Sequence, residues 1–334
     1  MEAERAPTLA DVARLAQVAT STASRALQES PRISESTRLR VLEAARGLGY
    51  RPNRLAQSLR RQTTNLVGIV VPDIGAPFFS RVVKGAQQVL EQNGIAVLVM
   101  NTEREPAREA AALQTLREHQ VAGVLVATSG GSTDDPRLPT VYFDNIIANR
   151  GVGNVTRANV PGMRLLVEHL HWHGHERIAY IGGPPLLTSG IERLAGYRLA
   201  VSELGLIERD DYVQLGEATW SAHSGADAME RLLQLDTPPT AVVTSGESFA
   251  MGALSACRRR GLHVPDDLAL VSFDDPPFGD LLDPPLTALE RNEEEMGRLA
   301  VSLLLHALQA TAVAQPAEVR LPVQLVLRRS CGCQ

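Results

Sequence analysis

Thr20, Ser21, Thr22, Ser24 and Arg25 place four small hydroxyls and one guanidinium in a single short segment. On one helix they form a face with little bulk to hold it off a phosphate backbone. Its first side chains would reach base edges, and the hydroxyls and Arg25 would hold phosphates. A solvated helix in a small bundle has the same composition. A second set follows apolar runs: Asp73 after LVGIVVP, Asp144 after VYF, and Asp274 with Asp275 after LALVSF. Carboxylates at strand ends accept hydrogen bonds from ligand hydroxyls, and they also form turns and cap helices. Trp220, one of two tryptophans, lies in a polar loop where its ring could stack on a sugar or a base, or simply pack.

A third set is His169, His171, His173 and His175 in HLHWHGH. His169 and His173 have the i, i+4 spacing of a zinc-binding pair on a helix. No HExxH accompanies them and no third ligand is evident in sequence, so they are read as structural. Cys331-Gly-Cys333 could bind a soft metal or oxidise. No other thiol or histidine cluster adjoins it in sequence, so it is read as an incidental exposed tail. No metal and no cofactor are expected. Walker-A, G-x-S-x-G and GxGxxG motifs are missing after the first strand, and the prolines of Gly182-Gly183-Pro184-Pro185 remove donors that a phosphate loop needs. No catalytic residue is assigned, and the chain is read as a non-enzyme.

The elements that would position the first set are short helices. Thr8 can cap one, with Asp11 as an acidic variant of the capping box. Leu9, Val12, Ala13 and Ala16 then form one apolar stripe. Gln17-Val18-Ala19 breaks it, and a second helix starts near Thr20 with Ala23, Ala26 and Leu27 inward. A third spans about residues 34–48, with Val41, Leu42, Ala45 and Leu48 apolar and Gly49 as its stop. This gives a helical head over 1–50. Residues 51–62, RPNRLAQSLRRQ, can form a helix too short to persist alone in water. Leu59 among Arg54, Arg60 and Arg61 suits a wedge that opens a minor-groove step; a plain linker is the other reading.

Charge separates head from body. The chain carries −5, yet residues 1–62 hold 11 Arg against 6 acidic residues, leaving −10 for the rest. A basic head on an acidic body is expected when only the head meets phosphate. The body, 63–334, alternates apolar strands with helices in two series, before and after about residue 144. The second series has helices near 160–173, 191–204, 224–235, 248–260 and 292–309, and a last strand near 318–327. That pattern predicts a bilobed α/β core of two parallel-sheet subdomains with a ligand cleft beyond the strand ends. Three cysteines make no disulfide framework, and with no signal-peptide core or membrane-length apolar run the expected location is cytoplasmic.

TLADVARLAQVATSTASRAL, RISESTRLRVLEAARGLGYRPNRLAQSLR and VGIVVPDIGAPFF together resemble the LacI/GalR family of bacterial transcription regulators. The likeness continues through VEHLHWHGHERIAYIGGP, ERLAGYRLA and ALVSFDDPPFGDLLDPPLTAL to LVLRRSCG, nearly the whole chain. The resemblance implies a helix-turn-helix head, a hinge helix and a periplasmic-binding-protein-like core. It implies a homodimer on a near-palindromic double-stranded DNA operator, with a small effector between the lobes and no membrane partner. It puts Thr20 and Ser21 at the base-reading pair, Thr22, Ser24 and Arg25 at backbone or base contacts, and Asn53, Ala56 and Leu59 in the hinge. Phe79, Asp144, Arg193, Trp220, Asp274 and Arg291 match effector-pocket positions.

Four departures refine this. Ala19 replaces the serine that usually caps the recognition helix, so the cap weakens or moves to Thr20. Gly246-Glu247 replaces an Asn-Asp pair, removing an amide contact to ligand. Leu187 replaces the second arginine of purine-responsive members, which favours a sugar or related polyol. The extra C-terminal helix of tetrameric members does not follow Arg329, which favours a dimer. The expectation is a sequence-specific repressor controlled by a carbohydrate-like effector; a solute-binding protein without DNA function is the alternative.

Overall fold

The structure, a computed structural model, describes residues 7–27, 30, 32–50, 64–131, 135, 137–147, 150–216, 220–290, 292–310 and 316–333. The hinge expectation over 51–62, with Asn53, Ala56 and Leu59, lies outside them, as does Arg291. The chain divides into two compact units, Met1–Thr64 and Asn65–Gln334.

The first unit holds α1 (Leu9–Leu15), α2 (Thr20–Leu27) and α3 (Glu35–Gly47). Thr8 and Asp11 cap α1 reciprocally: the Asp11 N–H donates to Thr8 Oγ1 at 3.4 Å, and the Thr8 N–H donates to Asp11 Oδ2 at 2.9 Å. Gln17 takes a left-handed φ of 52°, which turns the chain from α1 to α2. Ala19 stands at the start of α2. Its carbonyl accepts from the Thr22 and Ala23 N–H groups, both at 2.9 Å. A methyl side chain has no oxygen to add to that cap. The core is small: Val12, Ala13, Ala16, Ala23, Ala26, Val41, Ala44 and Ala45, with Leu9, Val18, Leu27 and Leu48 packed around it. Alanine lets the helices approach closely but buries little apolar area, so a unit of this size is held by a thin margin.

The second unit has two six-stranded sheets. The first sheet runs β11 (Ala317–Leu321), β5 (Gly153–Arg157), β4 (Thr140–Phe143), β3 (Gly123–Val126), β1 (Leu66–Val71), β2 (Ala96–Asn101), all parallel. The second runs β12 (Leu325–Val326), β10 (Thr287–Leu289), β9 (Ala269–Ser272), β8 (Ala241–Thr244), β6 (Ile178–Gly182), β7 (Val213–Leu215), with only β10–β12 antiparallel. Helices α4 (Pro77–Gln92), α5 (Pro106–Glu118), α6 (Asn159–Trp172), α7 (Thr188–Glu203), α8 (Ala222–Leu233), α9 (Glu247–Arg259) and α10 (Glu293–Gln309) cover them. The central strands are buried on both faces, which is why they read as continuous apolar runs.

Three sequence expectations change. The two lobes are not two consecutive halves. Met296, Ala300, Val301 and Leu304 of α10 share the first lobe's core with Val82, Ala86 and Leu90 of α4, although α10 follows the second lobe's strands. The single strand expected near 318–327 is two strands, β11 in the first sheet and β12 in the second. Cys331-Gly-Cys333 is not an exposed tail: Cys331 is buried in the second lobe's core beside Leu166 and Leu170, and Cys333 packs partly buried against it. No helix among the described residues is long and apolar enough to cross a membrane.

Candidate functional site

Two separate surfaces carry the predicted residues. On the first unit, α2 turns Ala23 and Ala26 into the core, and Thr20, Ser21 and Arg25 are exposed while Thr22 and Ser24 are half-buried. The 3.6-residue period alone makes this division, since the inward positions are three apart. Acidic residues are missing from the first turn of α2, so the positive end of its helix dipole is uncompensated by its own side chains. The result is a convex face of hydroxyls ending in one cation.

The second surface is a cavity of about 530 Å³ in the second unit, at the C-terminal ends of strands from both sheets. Loops after β1, β3 and β4 bring Asp73, Ser129 and Asp144, and loops after β6, β8 and β9 bring Pro184, Gly246 and Asp274. Phe79 from α4, Arg193 from α7 and Trp220 from the loop before α8 complete the predicted set within the described residues. Asp275 turns away and forms a bidentate pair with Arg328, at 2.7 and 2.9 Å.

The floor of the cavity is a charge network around Arg193 and Asp274, and Arg157 is the member that the sequence does not reveal. Arg157, at the end of β5, is fully buried and bonds Asp274 Oδ1 through Nη2. Arg193 reaches the other carboxylate oxygen of Asp274 at 3.4 Å, donates to the Ser245 carbonyl at 2.5 Å, and is fixed through Nε to Asn159 Oδ1 at 3.0 Å. Both guanidiniums lie over the Phe273 ring, at 5.0 and 3.9 Å from its centre, and Arg193 also faces Trp220 at 5.7 Å. Burial works against charge on Asp274, yet Arg157 and Arg193 hold its carboxyl below the usual carboxylate range. Asp144 goes the other way: burial raises its pKa, and Arg193 and Arg157 oppose that shift without reversing it. Arg157 Nε is buried with no hydrogen-bond partner among the described residues.

Supporting bonds fix the rim. Asn145 donates to Asp144 Oδ2 at 3.1 Å and accepts from the Ser189 N–H and hydroxyl at 3.0 and 2.8 Å. Arg104, from the loop after β2, lies over Phe79 at 6.0 Å and feels both Asp73 and Asp144. A Cβ at position 246 would sit 3.1 Å from Asp274 Oδ2 and 3.3 Å from the Trp220 ring, so glycine there lets the tryptophan close on the carboxylate. Arg157 escaped notice because GNVTR reads as polar loop; its strand is recognisable only once its neighbours in the sheet are known.

Residues 8–53 match the profile of bacterial regulatory proteins of the lacI family, and residues 167–331 that of a periplasmic binding protein-like domain. The chain is similar to the HTH-type transcriptional repressor CytR of Escherichia coli (strain K12), 33% identical over 98% of this chain and 97% of the relative. It is similar to the ribose operon repressor of the same organism, 32% identical over 92% and 95%. In structure it is similar to the Lac repressor dimer bound to operator and the anti-inducer ONPF, with a TM-score of 0.86, 28% identity and 98% and 99% coverage. Likeness at this level over almost the whole length, head and body together, means that the chain belongs to the lacI family of bacterial regulatory proteins and is a DNA-binding transcriptional regulator.

Proposed function

We propose that this regulator is a repressor that binds a near-palindromic operator as a homodimer, and that a small sugar or related polyol in the cavity sets its affinity. In this reading residues 1–50 are the reading head, 51–62 the hinge and 63–334 the effector-binding and dimerisation core of a cytoplasmic protein. Thr20 and Ser21 read base edges, Thr22, Ser24 and Arg25 hold the backbone, and Asn53, Ala56 and Leu59 enter the minor groove. Phe79, Asp144, Arg193, Trp220, Asp274 and Arg291 contact the effector.

The observation that carries the effector class is the shared Asp274. Two buried arginines share the Asp274 carboxylate, and across the lining Arg104, Arg157 and Arg193 stand against Asp73, Asp144, Glu247 and Asp274. A net-cationic pocket would select an anion; this one offers fixed donors and acceptors at near-balanced charge, which suits a neutral polyhydroxy ligand. Trp220 and Phe79 add aromatic surface for the ligand's apolar face. The ribose operon repressor's name is consistent with a sugar-linked regulator on this scaffold. The polar groups of the cavity serve binding in this reading, and no nucleophile is assigned among them.

The test selects duplex DNA from a random pool with the full-length chain, then measures affinity against salt with and without pentoses, hexoses and nucleosides. A near-palindromic consensus is expected, with affinity falling steeply as salt rises. Absence of sequence preference at every salt concentration removes the repressor reading. Arg193→Ala should abolish the ligand response and leave operator selection intact; a response that survives means the cavity assignment is wrong.

A further inference from the structure

HLHWHGH and Cys331-Gly-Cys333 lie more than 150 residues apart in sequence, yet the fold brings them to one place. His169 and His173 are one turn apart at the end of α6 and just beyond it. The C-terminal segment folds back so that Cys331 and Cys333 face them. One donor atom from each of the four residues lies within 4.8 Å of the other three. His173 Nε2 is 3.1 Å and His169 Nε2 3.7 Å from Cys333 Sγ. We propose that His169, His173, Cys331 and Cys333 form a structural site for a soft divalent cation of the zinc class, tying the C-terminal segment to α6.

The donor chemistry and geometry agree. A His₂Cys₂ set is one of the tetrahedral combinations that zinc adopts in closed structural sites. Around such an ion neighbouring donor atoms stand about 3.3 to 3.8 Å apart, so the four donors need to close by no more than about 1.5 Å. Gly332 makes the approach of both thiols possible. Its φ of 94° lies in the region that favours glycine, and it turns the chain between the two cysteines. The surroundings are built as well. Thr287 Oγ1 lies 3.1 Å from Cys331 Sγ, and Arg328, held by Asp275, anchors the segment just upstream. The other two histidines of the run are not part of the group; His175, for example, meets Thr240 Oγ1 at 3.0 Å. Trp172, 78% exposed, stacks on His169 and meets His173 edge-on, giving the open side a partial cover. Closing so long a loop with one ion removes much chain entropy from the unfolded state, which is where a structural site is most effective.

The test uses the full-length chain, reduced, stripped with chelator and then titrated with cobalt(II) and with zinc(II) alone. One cobalt per chain is expected, with the intense visible bands of tetrahedral thiolate coordination, bleached by one equivalent of zinc. Zinc should also raise the melting temperature of the stripped protein. Cys333→Ser and His173→Asn, both at partly exposed positions, should each lower zinc affinity by at least about a hundredfold, a loss no smaller than that on removing an outer-shell partner. Cys257→Ser should leave the spectrum unchanged. Sub-stoichiometric cobalt, octahedral spectra, unchanged affinity in both ligand variants, or a Cys331–Cys333 disulfide that persists in the reduced preparation would each overturn the proposal.

Discussion

The outer face of α2 and the floor of the cavity are both polar, and they are built on opposite plans. The α2 face takes all of its side chains from one helix turn and the next, leaves each of them at least partly in water, and carries one net charge. The cavity floor takes Arg157, Arg193, Asp144 and Asp274 from four separate elements, buries the two arginines, leaves the two carboxylates only partly exposed, and sets their charges against one another. The first plan costs the fold almost nothing, since exposed hydroxyls and one arginine have no desolvation to recover. The second depends on Asp274 above all, because a buried guanidinium without its partner is far more expensive than an exposed one. In the proposed reading, recognition of a polyanion from outside and of a small neutral molecule from inside therefore impose different tolerances on substitution.

The largest expected effect is at Asp274. Asp274→Ala strands two buried guanidiniums and should destabilise the second unit by about 3–5 kcal/mol, read as the urea midpoint of the full chain. A loss below about 1 kcal/mol would mean the network is solvated and the contrast with α2 is false. Arg25→Ala should leave that midpoint unchanged. It should weaken DNA binding about equally across sequences and lower the slope of log affinity against log salt by about one. An unchanged slope would remove Arg25 from the phosphate contacts. Ala19→Ser supplies the side-chain oxygen that the start of α2 lacks and should add about 1 kcal/mol to the stability of the head, measured by hydrogen exchange in α2. No gain would mean that the backbone there cannot present the hydroxyl to the N–H groups of the first turn.

The smallest effect is a matter of sign. Burial raises the Asp144 pKa above its unfolded value, so its favourable contribution is present below about pH 4 and is lost as pH rises through the folded pKa. Asp144→Asn should therefore be more stable than the parent at neutral pH, with the gap closing as the pH falls toward 4. Asp274 behaves oppositely. Its lowered pKa gives stability present above the unfolded value and lost as pH falls through the folded one. If Asp144→Asn and the parent show the same midpoint at every pH, the two carboxylates are not differently placed, and the division of labour in the cavity fails.

Legibility in the sequence follows the range over which each feature is decided. The helices of the head were read to within a residue or two because capping and 3.6-residue periodicity act over one or two turns; Thr8 with Asp11, and Ala23 with Ala26, needed no partner from elsewhere. The apolar strands were legible as buried, but β2 was not legible as an edge, where Val99 is 40% exposed, because composition says nothing about neighbours. Asp144, Trp220 and Asp274 came forward because strand ends and rare aromatics are visible in one dimension, whereas Arg193 and Phe79 came forward through the family resemblance. Arg157 did not, because a polar five-residue strand is recognisable only by its hydrogen bonds to β4 and β11.

The sequence by itself determined the class of this protein: a basic three-helix head, an acidic α/β body, and a DNA-binding regulator's motifs in order. Tertiary structure alone decided which distant residues became partners. It returned α10 to the first lobe, placed two arginines on one aspartate, and set Cys331 and Cys333 against His169 and His173. The physical reason is that propensity, capping and periodicity are short-range and written into consecutive residues. Charge pairing and metal-ligand geometry depend on distances that exist only after the sheets have packed.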